Sequence, residues 1–239
     1  MAGPATVRVI TPSQFAIGEG VRRATVIQSD VEDGSFAIAD PGVEANRAKL
    51  VDLAWTWLDQ VHGCDVVVAD VAGAGCGRAG DAVVTTLVDA VVAVQTADCV
   101  PIALIGTDDS GEVTSVAAVH AGWRGLLVGV VEQAASAVRA EGAAHVVAVV
   151  GAHIHPGCYR FEAADASPLV QRYGDALSAV TDTGEPALDM TAGVRAALRA
   201  AGVDVGYVHP SCTGCDERFF SHRSRGDVGR QALAVWMHT

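Results

Sequence analysis

Five short apolar runs constrain this chain most. AVVTT (82–86), VVAVQTA (91–97), PIALIG (101–106), VTSVAAVH (113–120) and HVVAVVGAHI (145–154) are dense in Val, Ala and Ile and are separated by Asp, Gly and Pro. Runs of this length between such breakers read as strands buried on both faces. Around them, Val43–Leu58 has Leu50, Leu53, Ala54 and Trp57 at helical spacing, and Val66–Val71 reads as a further strand before the glycine-rich loop Gly73–Asp81. Leu126–Arg139 repeats apolar residues every three or four positions and stops at Glu141-Gly142, which predicts a helix with a glycine stop. Helices are also expected at Ala163–Tyr173, at Thr191–Ala201 behind an Asp189 or Thr191 cap, and at Gly229–Met237. Strands cluster first and helices intrude later, so the pattern favours an α+β fold with mixed sheets over a regular βαβ repeat.

No repeat, charge block or proline-rich linker interrupts the 239 residues, and a single domain over 1–239 is expected. Half of the residues are apolar, enough for one sizeable core. Lys and Arg number 16 against 28 Asp and Glu, a formal charge of −12 that repels phosphate backbones and anionic membrane surfaces. Nucleic acid and membrane are therefore excluded as expected partners, whereas a neutral nucleoside meets no such barrier. The start MAGPATVRVITPSQ lacks a basic stretch followed by an apolar one, and no run reaches the roughly eighteen apolar residues of a membrane span. A cytoplasmic location is expected. The six cysteines are then expected as thiols or ligands rather than disulfides.

Three segments each offer one borderline ligand in a small, apolar setting: QVHG around His62, TADCVP around Cys99 and HAGWRG around His120. Two imidazoles and a thiolate are the ligand set of a catalytic zinc with one open position. Singly, each has a plainer reading. His62 is a turn residue, Cys99 an inert buried thiol, and His120 the end of a strand beside a helix start, where catalytic groups are often displayed. The same residues admit a metal-free cysteine hydrolase, with Cys99 as nucleophile and His120 as base. They also match the equatorial set of a blue-copper site. A multicopper oxidase needs many histidines, often in His-x-His pairs; this chain has eight, with one such pair, His153 and His155. Cys212-x-x-Cys215 is half a zinc site, and its readings are inert structure, a pocket wall or a reducible thiol pair.

Taken in order, QVHG, GDAVVTT (80–86), TADCVPI (96–102), HAGWRG (120–125), CYRF (158–161), CTGC (212–215), FFSHR (219–223) and GRQ (229–231) resemble the YfiH-type family. This family is also named the laccase-domain or polyphenol oxidoreductase family, and its members act as purine nucleoside phosphorylases. The likeness spans about residues 43–237. It implies a four-layer α/β/β/α domain with two mixed β-sheets face to face between helical layers, and a homodimer. It implies one zinc on His62, Cys99 and His120, copper being the family's older metal. It further implies phosphorolysis of adenosine, inosine and methylthioadenosine, and deamination of adenosine.

Deamination at C6 of adenine needs a metal-activated water, with Asp81 or Asp98 as candidate proton relays. Phosphorolysis needs a held phosphate, for which Arg124 at a helix start and Arg223 in FFSHR are the candidates. Gln60, Cys212 and His222 are further candidate substrate contacts, His222 standing where relatives usually have tyrosine. Two departures stand out. FAIGEGVRRATV (15–26) replaces an early Thr-Arg-x-Gly-Gly segment, leaving Arg22 or Arg23 to supply its arginine, and GAHIH puts Ala152 and His155 where relatives have proline and glycine. A function of another class, non-catalytic binding of a nucleoside or peptide, also accommodates the acidic surface.

Overall fold

The computed structural model describes residues 7–11, 14–18 and 20–239. In chain order its first elements are β1 (Val7–Thr11), β2 (Gln14–Ile17), β3 (Arg23–Gln28), α1 (Val43–Leu50), β4 (Ala54–Thr56), β5 (Leu58–Asp59) and β6 (Val66–Val68). Next come β7 (Arg78–Ala79), β8 (Ala82–Thr85), β9 (Ala90–Thr96), β10 (Val100–Thr107), β11 (Val113–Ala121), α2 (Trp123–Val128), α3 (Val130–Ala140) and β12 (His145–Val150). The chain closes with α4 (Ala163–Tyr173), β13 (Ser178–Val180), β14 (Pro186–Leu188), α5 (Met190–Ala200), β15 (Asp204–Val208), α6 (His222–Arg225) and β16 (Gln231–His238).

The strands form two six-stranded sheets, ordered β1-β2-β3-β16-β9-β4 and β15-β12-β10-β11-β8-β6. Both are mixed, because β4–β9, β6–β8 and β12–β15 run parallel among antiparallel neighbours. The period of two along each strand sorts the side chains into layers. Val92 and Val94 of β9 meet Ala103 and Ile105 of β10 and Val116 and Ala118 of β11 between the sheets. Ile102 and Leu104 of β10 and Val119 of β11 face the other way, onto α2, α3 and α5 through Leu126, Val131, Val138 and Val194. Val91, Ala93 and Ala234 cover the far side of the first sheet under Phe36 and Trp55. The two mixed sheets thus lie face to face, as the resemblance implied, with α2, α3 and α5 on the outer face of the second and Leu50 of α1 joining Phe36 and Trp55 on that of the first.

Four local expectations need correction. The first helix ends at Leu50, and Ala54–Thr56 instead forms edge strand β4, with the Trp55 indole donating to Val51 O at 2.9 Å. One long helix after HAGWRG is two, α2 and α3, divided at Gly129 with φ +94°. Gly229–Met237 is no helix: Gln231–His238 is β16, a central strand between β3 and β9. Being covered on both faces it is apolar without alternation, and such a run carries no period that separates strand from helix. Cys158 and Cys215 are joined as a disulfide, because the fold brings together sulfurs 57 residues apart in the chain. Among the described residues no helix is long and apolar enough to cross a membrane.

Candidate metal centre and adjoining cavity

The three candidate ligands converge where the chain passes between layers. β9 ends in the first sheet and β10 begins in the second, so Ala97–Cys99 is the whole crossing. Asp98 turns it with φ +97°, and His62 sits at φ +61° in the turn after β5. Positive φ at a residue other than glycine is a cost retained where the surroundings require that geometry. His120 is the penultimate residue of β11, two residues before Gly122 caps α2.

Each of His62, Cys99 and His120 offers a donor atom, and these lie within 4.8 Å of one another. Cys99 Sγ is 3.9 Å from His62 Nε2, and the two imidazoles meet edge to face with centroids 4.8 Å apart. Donors around a tetrahedral zinc are separated by roughly 3.4–3.7 Å, given the usual metal–nitrogen and metal–sulfur lengths. The set fits a metal of that kind with little movement. Close approach is possible because Gly122 has no side chain: a Cβ there would stand 2.7 Å from His62 Cδ2 and 3.2 Å from Cys99 Sγ. Gly122→Ala should cost about 1–3 kcal/mol of local overpacking. The measurable result is a roughly tenfold to hundredfold fall in metal affinity by competition with a chelating dye, with an unchanged circular dichroism spectrum.

Asp81, fully buried, organises the ligands from beneath. Oδ1 accepts from His62 N at 2.9 Å and from the His120 Nδ1–H at 2.8 Å, and Oδ2 accepts from Gly63 N at 2.6 Å and Val61 N at 3.3 Å. The Nδ1 contact leaves His120 Nε2 free to ligate, the arrangement usual behind metal-bound histidines. Burial alone would raise the Asp81 carboxyl; the His120 N–H and the Gly63 amide outweigh it and hold the group below the ordinary carboxylate range. Burial likewise pushes the Cys99 thiol up, but His120 and then His62 bring it down to about 6. In turn the Cys99 thiolate and Asp81 overcome burial and lift His120 to about 9. Without metal, the two groups favour each other's charged form across the buried contact.

Asp98 anchors a second network. Its Oδ1 accepts from Thr213 Oγ1 at 2.8 Å and Ser221 Oγ at 2.7 Å, and its Oδ2 from Arg223 N at 2.6 Å. The CTGC loop and the start of α6 are thereby fixed to the residue beside Cys99. Of the two carboxylates read from the sequence as proton relays, Asp81 accepts four hydrogen bonds and Asp98 three, all from fixed donors.

A cavity of about 490 Å³ opens on the ligands. His62, Cys99 and His120 form one part of its lining, and Gln60, Gln95, Thr96, His222 and Arg230 carry its remaining polar groups apart from Asp59. Gln60 is tied at both ends to the backbone of Gln95, at 2.8 Å each. Gln95 Nε2 and Thr96 Oγ1 are, with Glu132 Oε2, the buried polar side-chain atoms without a partner among the described residues. Arg230 donates Nη1 to the carbonyls of Asp227, Val228 and Gly229. Gln95, Thr96 and Arg230 escaped the sequence reading, although GRQ had marked the neighbourhood of Arg230.

Of the other sequence candidates, Gln60 and His222 do line this cavity, whereas Arg124, Arg223 and Cys212 are not part of its lining. Arg124 stacks on Trp123 at 4.2 Å and Arg223 on Tyr159 at 4.9 Å. Trp123 and Tyr159 border a separate cavity of about 30 Å³ on Cys99, together with Asp98, Gly122, Ile154 and Met190. Cys212 accepts from His155 N at 3.2 Å and lies beside Cys158 and Cys215. Arg22 pairs with Glu112 at 3.0 Å. The pair His153 and His155 is no metal site of its own: His153 is buried with both ring nitrogens engaged, Nδ1 at Gly151 O and Nε2 at Thr191 Oγ1, each 2.8 Å.

Comparison with known proteins agrees with this fold. The chain is 33% identical to a purine nucleoside phosphorylase of Xylella fastidiosa, over 98% of this chain and 94% of that protein. It is 41% identical to a purine nucleoside phosphorylase of Streptomyces coelicolor, over 83% of this chain and 84% of that one. Its fold is that of YlmD from Geobacillus stearothermophilus, with a TM-score of 0.78 and 24% identity over 99% of this chain and 100% of that chain. The Neisseria meningitidis protein NMB0706 superposes with a TM-score of 0.77 and 24% identity over the same shares. The family model described as multi-copper polyphenol oxidoreductase laccase matches residues 10–238, and the chain belongs to that family.

Proposed function

We propose that this chain is a zinc-dependent purine nucleoside phosphorylase that takes adenosine, inosine and methylthioadenosine, deaminates adenosine at the same centre, and works as a homodimer. The observation that carries this reading is a cavity of about 490 Å³, nucleoside-sized among small-molecule pockets, with His62, Cys99 and His120 in its lining. The names of the relatives support the same reaction class. Two imidazoles and one thiolate with a fourth position open suit catalytic zinc, which when bound supplies Lewis acidity there. In phosphorolysis a phosphate oxygen attacks ribose C1′ as the bond to the purine breaks, and the purine leaves with the bonding electrons and takes up a proton. Arg230 is the cation in the cavity lining and our assignment for the phosphate clamp. The unpartnered Gln95 amide and Thr96 hydroxyl suit the polar edge of the purine or the ribose. His222, bordering the cavity, is assigned to protonate the departing purine. We assign Asp81 and Asp98 as positioning residues, since their oxygens are occupied.

The test is chromatography of inosine with and without phosphate: hypoxanthine should appear only with phosphate, alongside ribose 1-phosphate. Arg230→Ala should raise the KM for phosphate roughly tenfold to hundredfold with a smaller change in kcat, the loss of a hydrogen bond to a charged partner. An unchanged phosphate KM removes Arg230 from the reaction.

One feature favours a second reading, a cysteine hydrolase: Cys99 lies against His120 and His62, which pull its thiol below the ordinary value, while Cys99 and Asp81 push His120 up. In metal-stripped protein, Cys99 alkylation by iodoacetamide should stay fast at neutral pH and fall as pH drops through about 6, where the thiolate takes a proton. A half-maximal rate near the ordinary thiol value would show that the pair does not form. Bound zinc should suppress this alkylation; rapid alkylation of protein as purified, free of metal, would favour the hydrolase.

A further inference from the structure

Outside the metal ligands, the described residues hold a second tight group of soft donors. Cys158 precedes Tyr159 after β12, and Cys212 and Cys215 lie in the loop after β15; their sulfurs are within 4.8 Å of one another. Cys158 and Cys215 share the disulfide, and Cys212 is a free thiol. The His155 N–H donates to Cys212 Sγ at 3.2 Å and fixes that sulfur beside the disulfide. Cys212 and Cys215 also have the Cys-x-x-Cys spacing that closes a disulfide of its own. Cys215 therefore has two partners in reach.

We propose that Cys158, Cys212 and Cys215 form a thiol–disulfide exchange site with Cys212 as the attacking thiol. Deprotonated Cys212 Sγ attacks Cys215 Sγ; the Cys212–Cys215 bond forms as the Cys158–Cys215 bond breaks, and Cys158 leaves as a thiolate that takes up the proton Cys212 lost. One disulfide and one thiol stand on each side, so no oxidant or reductant is consumed. Exposed Cys215 is also the sulfur that an outside low-molecular-weight thiol reaches.

The exchange bears on the main site through what stays and what is released. Thr213, between the two loop cysteines, is held by Asp98 at 2.8 Å and by His153 O at 3.0 Å, and Arg225 grips the carbonyls of Thr213 and Gly214. The loop stays fixed. Cys158 leads straight into Tyr159, which borders the small cavity on Cys99. Opening the Cys158 bond uncouples that wall from the Asp98 anchor.

The experiment uses the full chain equilibrated in mixtures of reduced and oxidised glutathione, quenched in acid, alkylated with N-ethylmaleimide and mapped by non-reducing mass spectrometry. Both disulfides should be found, with the free-thiol label divided between Cys158 and Cys212 within about tenfold of each other. Cys212→Ser should cut the label on Cys158 by about tenfold or more, and Cys158→Ser should retain the Cys212–Cys215 bond. Label confined to Cys212 in the wild type overturns the proposal. So does label on all three cysteines at the oxidising end, and a second equivalent of zinc in the reduced protein, lost in Cys212→Ser, would assign the trio to a metal instead.

Discussion

Cys99→Ala is expected to leave a folded protein with less than about a tenth of an equivalent of zinc and a phosphorolysis rate at least about a thousandfold lower, some 4 kcal/mol of transition-state stabilisation. Two reasons combine. A site with three protein ligands cannot spare its only thiolate, and the alanine leaves two neutral imidazoles that bind zinc far more weakly. The deletion also leaves His120 without the thiolate that heads the influences raising its pKa to about 9. The fold should tolerate the change, since Cys99 lies in a three-residue crossing whose position is held by Asp98 rather than by the sulfur. Equal zinc and equal rate in the variant would remove Cys99 from the site; equal zinc with no rate would make it a nucleophile.

The second large effect is expected of Asp81→Asn. The substitution keeps shape but sets an amide NH2 against the Val61 and Gly63 N–H groups, or against the His62 amide and His120 Nδ1–H if the side chain is turned over. Either way buried donors face donors. Such an unsatisfied group costs about 1–3 kcal/mol, and loss of the carboxylate behind a ligating histidine lowers metal affinity about 10–100-fold. Zinc binding and thermal stability should therefore fall together in Asp81→Asn, whereas Cys99→Ala should lose zinc with little loss of stability in the metal-free form. If Asp81→Asn binds zinc normally, the carboxylate has no part in orienting His120.

Much of this architecture was legible in the strands. AVVTT, VVAVQTA, PIALIG and VTSVAAVH are β8 to β11, because burial on both faces imposes apolar runs whose length and breakers reveal them. The same burial hid β16, whose Ala and Val content suits either structure. The convergence of the three candidate ligands was legible only as compatible chemistry, two imidazoles and a thiolate in separate segments. What the residues between them do was not. Asp81 and Asp98 looked like proton relays, yet both oxygens of each are held by backbone amides, hydroxyls or His120 from segments up to 125 residues away. Gln95 and Thr96 stand out only because packing deprives them of partners, a property of three-dimensional neighbours. Arg124 and Arg223 were reasonable phosphate ligands by residue type, but aromatic faces hold them next to the smaller cavity.

The central claim is that the metal on His62, Cys99 and His120 sits where the nucleoside is cleaved. Titrating zinc into metal-stripped protein while following hypoxanthine release from inosine in phosphate tests it directly. Activity should rise linearly and level off at about one equivalent per chain, with no release at any occupancy when phosphate is omitted. Full activity in the stripped protein, or tight zinc uptake with no cleavage at any occupancy, would contradict the account.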